Sequence, residues 1–342
     1  MRNRFALAAL AVGIVFGVAG GVNAQPNFAW ERNFNGPATD SEDQAFSVAV
    51  DGSGNVVVAG TYVKSASDID MIVQKYDATG TLLWSKTFDG GAAVADWDVP
   101  TDVKVDGSGN VYVGGYSYFS ATDSDGMILK YNSAGTLVWT YRHIPASNNL
   151  AESVYSIAVD GSGNVYGGMD LGAAGGNYDA AIVKVTSAGA LSWIRSRNGA
   201  QNDYDAIYRV ALAPNGDVVG AGWSREAGNQ RDALIMRVSS TNTLVHASIY
   251  SRLAASHEYG NNIVVDSSNN TYLCGESFNT GDASGGIAPS TAFVISYNPT
   301  GTVRWTNTYA GAGVGQSAFA DVVLDGAGDV YAVGYTQTSA AA

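Results

Sequence analysis

The sequence predicts an all-β fold: a β-propeller of four-stranded antiparallel blades, six repeats long, with the last blade incomplete. Three observations predict it. A turn phrase recurs six times at spacings of 55, 54, 53, 53 and 59 residues. Four short apolar runs fill each period, and helical periodicity is absent after residue 24. Repeated four-stranded sheets that bury both faces against neighbours make a propeller.

Taken in chain order, the first residues, MRNRFALAALAVGIVFGVAGGVNAQ, carry two arginines, an apolar run and a small-residue ending at Ala24. That pattern predicts a secretory signal peptide over 1–24, cleaved after Ala24. The apolar run is Ala- and Gly-rich and barely long enough to span a bilayer, so a membrane anchor fits it less well. The expected location is therefore secreted, periplasmic or cell-surface.

The turn phrase reads DGSGN at Asp51, Asp106 and Asp160, APNGD at Ala213, DSSNN at Asp266 and DGAGD at Asp325. A second phrase keeps step: YDATGTLLW ends at Trp84, YNSAGTLVW at Trp139, VTSAGALSW at Trp193 and YNPTGTVRW at Trp305, with His246 in the tryptophan's place in blade four. Both supply Gly or Asn where a tight hairpin needs positive φ. In the first copy the four strands are FSVAVD, NVVVAGTY, DMIVQKYD and TLLWSKTF. Their Val, Ile, Tyr and Trp content and Gly/Asn/Asp boundaries are those of strands. A solenoid would need shorter repeats or helices, and the period is too long for WD40 blades.

The run AVDGSGNVVVAGTY followed by DMIVQKYDATGTLLWSKTF resembles the bacterial SBBP repeat, named for a seven-bladed β-propeller. The resemblance spans residues 40 to 336 and implies the fold and an exported protein, with little about activity. The segment FAWERNF, 28–34, matches only a fourth strand, so it is expected to complete the last blade, over a propeller of 25–342. Six blades are expected, or seven if the chain is part of a longer one.

Strand direction places DGSGN and DATGT on one face, and the second-to-third loops with the blade links on the other. Those on the second face are long and varied, which is where binding usually resides on a rigid scaffold. Tyr116, Tyr118, Phe119, Tyr178, Trp223 and Phe278 fall in or beside them. An aromatic ring gives an apolar surface in polar surroundings, suited to a sugar or a peptide.

Two acidic series belong to the same face. Eight residues before each turn stand Asp43, Asp98, Glu152, Asp205 and Glu258, with Ser317 sixth. Rotation about the axis would arrange them as a ring near the channel mouth. They are expected either to accept backbone N–H groups or to hold a cation, calcium being the candidate. The second series, Asp70, Asp125, Asp179 and Asp232, opens the third strands, each followed five residues on by Lys75, Lys130, Lys184 or Arg237. Five residues apart on a strand means opposite faces, so pairing across neighbouring blades is expected.

Thirty-one acidic residues against 18 basic ones give a net charge of −13. This argues against nucleic acid or an anionic membrane as partner. The single cysteine, Cys274, makes no internal disulfide and reads as a small core residue. There is no GxSxG or HExxH, and His143, His246 and His257 lack metal-ligand spacing. The sequence thus predicts a monomeric, non-catalytic exported propeller without a cofactor. It would bind a glycan or a protein on its long-loop face. The alternatives are a spacer module of a larger surface protein, or a propeller glycosidase or lyase.

Overall fold

The computed structural model describes residues 29–34, 36, 42–65, 68–91, 97–120, 123–144, 150–173, 175–226, 230–253, 256–279, 290–311 and 315–336. The expected signal peptide, Phe28 and the side chain of Phe119 lie outside them.

Blade one holds β1 (Gln44–Val50), β2 (Val56–Ser65), β3 (Asp68–Tyr76) and β4 (Leu82–Phe88). Blade two holds β5 (Asp98–Val105), β6 (Val111–Ser120), β7 (Asp123–Tyr131) and β8 (Leu137–Arg142). Blade three holds β9 (Ser153–Val159), β10 (Val165–Gly172), β11 (Tyr178–Val185) and β12 (Leu191–Arg197). Blade four holds β13 (Ala206–Leu212), β14 (Val218–Ser224), β15 (Asp232–Val238) and β16 (Leu244–Tyr250). Blade five holds β17 (Ser256–Val265), β18 (Thr271–Asn279), β19 (Ser290–Tyr297) and β20 (Val303–Tyr309). The sixth has β21 (Ser317–Leu324) and β22 (Val330–Thr336) among the described residues.

Every sheet is an antiparallel meander in sequence order. First strands are innermost: β1 packs on β5, β5 on β9, β9 on β13, β13 on β17 and β17 on β21. The chain is a six-bladed β-propeller. Five apolar clusters fill the five gaps between successive blades; Val113 and Leu129 with Val57 and Val73 fill the first. Cys274 sits in the last, fully buried. Middle strands such as β14 and β15 are buried at every residue, because each face meets a neighbour. Each buried Val, Leu or Ile contributes about 1.5–3 kcal/mol. The two end blades are the exceptions, with Phe46, Val48 and Val50 of β1 exposed, and Val323 of β21 and Val333 of β22.

The turn phrase works as a local latch. Asp51 Oδ1 accepts the N–H of Ser53 and of Asn55, both at 2.9 Å, and Gly54 takes φ +79°. Lys75, on β3, pairs with Asp51 at 2.8 Å. That corrects the expectation for the first of these cations, which bonds its own blade's hairpin. Blade four has Ala213 where the others have Asp; there Arg237 instead holds Asp217 at 2.8 Å, across the same turn.

The first strand of every blade carries a β-bulge. The register skips one residue after each acid position: Phe46, Thr101, Tyr155, Tyr208, Asn261 and Ala320. Opposite the bulge the second strand comes so close that a Cβ on Gly222 would lie 2.0 Å from the Ala206 carbonyl oxygen. This explains the glycine at that place in five of the six repeats. Bulges of this kind re-aim side chains.

Residues 29–34 run beside blade one. Trp30 donates its indole N–H to Ala78 O at 3.1 Å, and Phe34 meets Tyr62 edge-on at 6.1 Å. Trp84 and Trp139 make the same bond to the following blade. The segment therefore takes the position of a fourth strand preceding blade one.

Candidate functional site

The first acidic series forms a set of clamps. Asp205 accepts the N–H of Gly199, in the link from blade three, at 2.5 Å and that of Arg225, just after β14, at 2.8 Å. Asp43 does the same with Gly36 and Val63, at 2.6 and 2.9 Å. Asp98 accepts Gly90 N at 2.8 Å and Glu152 accepts Gly172 N at 2.7 Å. Glu258 uses the hydroxyls of Ser256 and Ser277, and Ser317 Oγ accepts Gly311 N at 3.0 Å. Asp98, Glu152, Asp205 and Glu258 are fully buried. Burial pushes the carboxyls of Asp205 and Glu258 up from their ordinary range, against the opposing pull of these donors. Acceptance of backbone N–H groups, one of the two expectations for these acids, is what Asp43, Asp98, Glu152 and Asp205 show.

The second series binds locally too. Asp70 accepts the Tyr62 hydroxyl at 2.8 Å, and Asp125 holds the guanidinium of Arg142. Asp70, Asp89 and Asp98 bring carboxylate oxygens within 4.8 Å of one another. The ammonium of Lys64 lies among them, 3.2 Å from Asp70 and 3.0 Å from Asp89, and so supplies positive charge from the chain itself.

The aromatic candidates divide into two groups. In blade two, Tyr116 meets Tyr118 at 5.9 Å and Tyr118 meets Trp97 at 6.2 Å. Tyr178, Trp223 and Phe278 belong instead to one belt crossing blades three, four and five. Ring centroids run Tyr178 to Tyr204 at 4.9 Å, Tyr204 to Trp223 at 5.1 Å, Trp223 to Tyr259 at 6.3 Å and Tyr259 to Phe278 at 5.6 Å. Trp223 is buried and forms the floor, whereas the other four rings are half-buried. Arg231 lies over Trp223 at 4.3 Å and over Tyr259 at 5.5 Å.

Toward the axis, the bulge residues of two neighbouring blades, Tyr155 and Tyr208, meet at 4.6 Å. Asp170 collects their surroundings. Its Oδ2 accepts the hydroxyls of Tyr155 at 2.9 Å and Tyr204 at 2.5 Å, while Oδ1 accepts Ser153 N at 2.8 Å. Burial raises the Asp170 carboxyl, and burial first, then the Asp170 charge, raises both phenols. Both tyrosines therefore stay protonated at neutral pH. The two hydroxyls also lie 3.0 Å apart, so Tyr155, Tyr204 and Asp170 form one hydrogen-bonded cluster. His257 accepts the N–H of Arg231 on Nδ1 at 2.9 Å, and burial lowers its pKa. The arrangement offers apolar ring faces, oriented hydroxyls and a guanidinium within one surface.

No family model matches the chain, and no curated protein matches it. Solved structures do resemble it. A protein of unknown function from Bacteroides caccae is 14% identical over 82% of this chain and 85% of that one, with a TM-score of 0.45. A polysaccharide lyase, Uly1, is 13% identical over 82% of this chain and 64% of its own, with a TM-score of 0.45. A Hadza microbial sialidase, Hz136, is 12% identical over 82% and 61%, with a TM-score of 0.46.

Sequence reasoning missed Tyr155, Asp170, Tyr204, Tyr208, Arg231 and Tyr259. A signal was present. Five residues into each second strand stand Thr61, Tyr116, Asp170, Trp223, Glu276 and Tyr335, where the residues around them repeat. A position that varies in a repeat held fixed by architecture is one released from architectural duty. A separate cavity of about 390 Å³, lined by Phe34, Val58, Ile72 and Tyr76 among others, lies on blade one. It is the face that a preceding blade covers in the other repeats.

Proposed function

We propose that the protein is an exported binding propeller whose ligand is a glycan, held on the aromatic belt of blades three to five. One observation carries this reading: four half-buried rings surround a buried tryptophan in a continuous run that breaks the repeat. Flat rings stack on the C–H faces of sugars, and the phenol and guanidinium groups beside them match hydroxyls. The clamps, latches and inter-blade cores recur in blade after blade and hold the rings in place. Among the described residues no helix is long and apolar enough to cross a membrane. Glycan-array binding of the mature chain, followed by calorimetry on the best oligosaccharides, tests the proposal. Loss of binding in Phe278→Ala supports it, and an array without signal overturns it.

A second reading, a glycosidase or lyase, has one observation in its favour. Asp170 is a buried carboxyl with a raised pKa, bonded to two tyrosine hydroxyls beside the belt. Raised carboxyls of this kind serve acid–base chemistry. Turnover of any member of a glycoside and polyuronide substrate panel, lost in Asp170→Asn, would decide for it.

A further inference from the structure

We infer that Arg231 makes this surface select sugars that carry a carboxylate; the inference rests on reading the belt as a glycan site. Arg231 stands one residue before β15, where the blade-four loop returns to the sheet. Its guanidinium carbon lies 4.3 Å from the Trp223 ring centroid and 5.5 Å from that of Tyr259, and its Nη1 donates to the Tyr259 hydroxyl. Three other arginines of the same face hold carboxylates, whereas Arg195 and Arg209 are bonded to backbone or amide oxygens. Arg197 holds Glu226 at 2.6 Å, Arg225 holds Asp203, and Arg142 holds Asp125. Among the described residues Arg231 has no carboxylate, and its Nε is buried without a hydrogen-bond partner.

A guanidinium donates in its own plane, as a fork of N–H groups, and the Nη1–Nη2 end of this one has donors left beyond the bond to Tyr259. A carboxylate fits that fork with two parallel charge-assisted bonds, which a neutral hydroxyl cannot do. The nearby acids do not fill this role. Asp205 is occupied by Gly199 and Arg225, and Glu258 by Ser256 and Ser277. Asp170 is occupied by two tyrosines and Ser153. The hydroxyls of Tyr155 and Tyr204, engaged with Asp170 and with each other, keep acceptor capacity for a sugar hydroxyl. An acidic sugar would set its carboxylate on Arg231, its ring on Tyr259 or Phe278, and its hydroxyl protons on the phenols.

The test uses matched oligosaccharides: galacturonate and glucuronate oligomers, each beside its carboxyl-reduced form, titrated against the mature chain. The acid form should bind at least about tenfold more tightly than the reduced form, as expected for hydrogen bonds to a charged group. Arg231→Gln should abolish the difference, and Arg231→Lys should restore only part of it, keeping the charge without the fork. Because the first comparison changes only the ligand, it holds whatever the variants do to folding. Equal binding of acid and reduced forms overturns the inference and leaves the glycan reading standing. Binding of no oligosaccharide, acidic or neutral, overturns both.

Discussion

Trp84 of blade one donates its indole N–H to the carbonyl of Ser133 in blade two, 3.1 Å away, and its ring covers Gly135. A Cβ on Gly135 would stand 2.8 Å from the Trp84 ring, whereas one on Gly54 would stand 3.7 Å from its nearest neighbour. Both glycines have φ near +80°. Gly54→Ala should therefore cost only the left-handed backbone, about 1–2 kcal/mol. Gly135→Ala should cost a further 1–3 kcal/mol or so of overpacking. Urea unfolding of the two variants checks this, and equal costs would mean the ring moves aside freely.

Trp30 stands over Gly80 in the same way, with 2.6 Å to a Cβ there. Its docking predicts coupling: Gly80→Ala should be less costly in a Trp30→Ala background than in the wild type. Deleting residues 25–36 should lower the melting temperature, since removal of the half-buried Trp30 alone should cost about 2 kcal/mol. Strictly additive effects in the double-mutant cycle would show that the segment does not rest on blade one.

The clamps predict a metal-independent loss. Asn in place of Asp205 would keep one acceptor but set an NH₂ group against a backbone N–H. Asp205→Asn should then destabilise by roughly 1–3 kcal/mol, the cost of leaving a buried donor without an acceptor. The loss should be the same with and without millimolar calcium. A calcium-dependent rise in wild-type stability that vanishes in Asp98→Asn would show that the acids hold a cation instead.

What could be read in the sequence was whatever the repeat enforces. The period, the DGSGN hairpins, the tryptophan positions and the acids eight residues upstream each serve most of the blades. Six near-copies of a phrase make such roles visible. The belt was not visible for the opposite reason. Tyr204, Arg231 and Tyr259 stand in different blade positions, and only the packing of blades three to five brings them together. The bulges were hidden too, because an unpaired residue leaves no mark on an alternating apolar pattern; without them Tyr155 and Tyr208 had no reason to be paired.

Titration should separate the turn acids from the buried ones. Burial works to raise the carboxyls of Asp106, Asp160 and Asp266, but the bonds from Asn110, Asn164 and Asn270 outweigh it and hold them below the ordinary 3.8. A folded pKa below the unfolded one gives stability that is present above pH ~4 and is lost as pH falls through the folded value. Asp106→Asn combined with Asp160→Asn should thus destabilise at pH 7 and approach the wild type near pH 3. For Asp170, Asp205 and Glu258, raised by burial, the sign reverses, and their contribution is lost as pH rises through the folded values. Unfolding free energies of the double variant at the two pH values decide it; a gap that does not change with pH would remove charge as the source of the latch.

The two aromatic groups should behave differently toward a ligand. Tyr259 and Phe278 are nearly parallel, 11° apart, and half-buried, so truncating either removes stacking surface and little of the inter-blade core. Tyr259→Ala and Phe278→Ala should each weaken glycan binding about tenfold or more while melting temperatures stay close to the wild type, as expected for anchors that meet the ligand centrally. Trp223→Ala should instead lose binding together with about 3–5 kcal/mol of stability, because the indole is the floor of the belt and a core residue at once. Tyr118→Ala, in the separate blade-two group, should leave binding unchanged. Calorimetry beside thermal melts on the four variants distinguishes the cases. If Tyr118→Ala loses binding and Phe278→Ala does not, the ligand sits on blade two, and the belt is architecture.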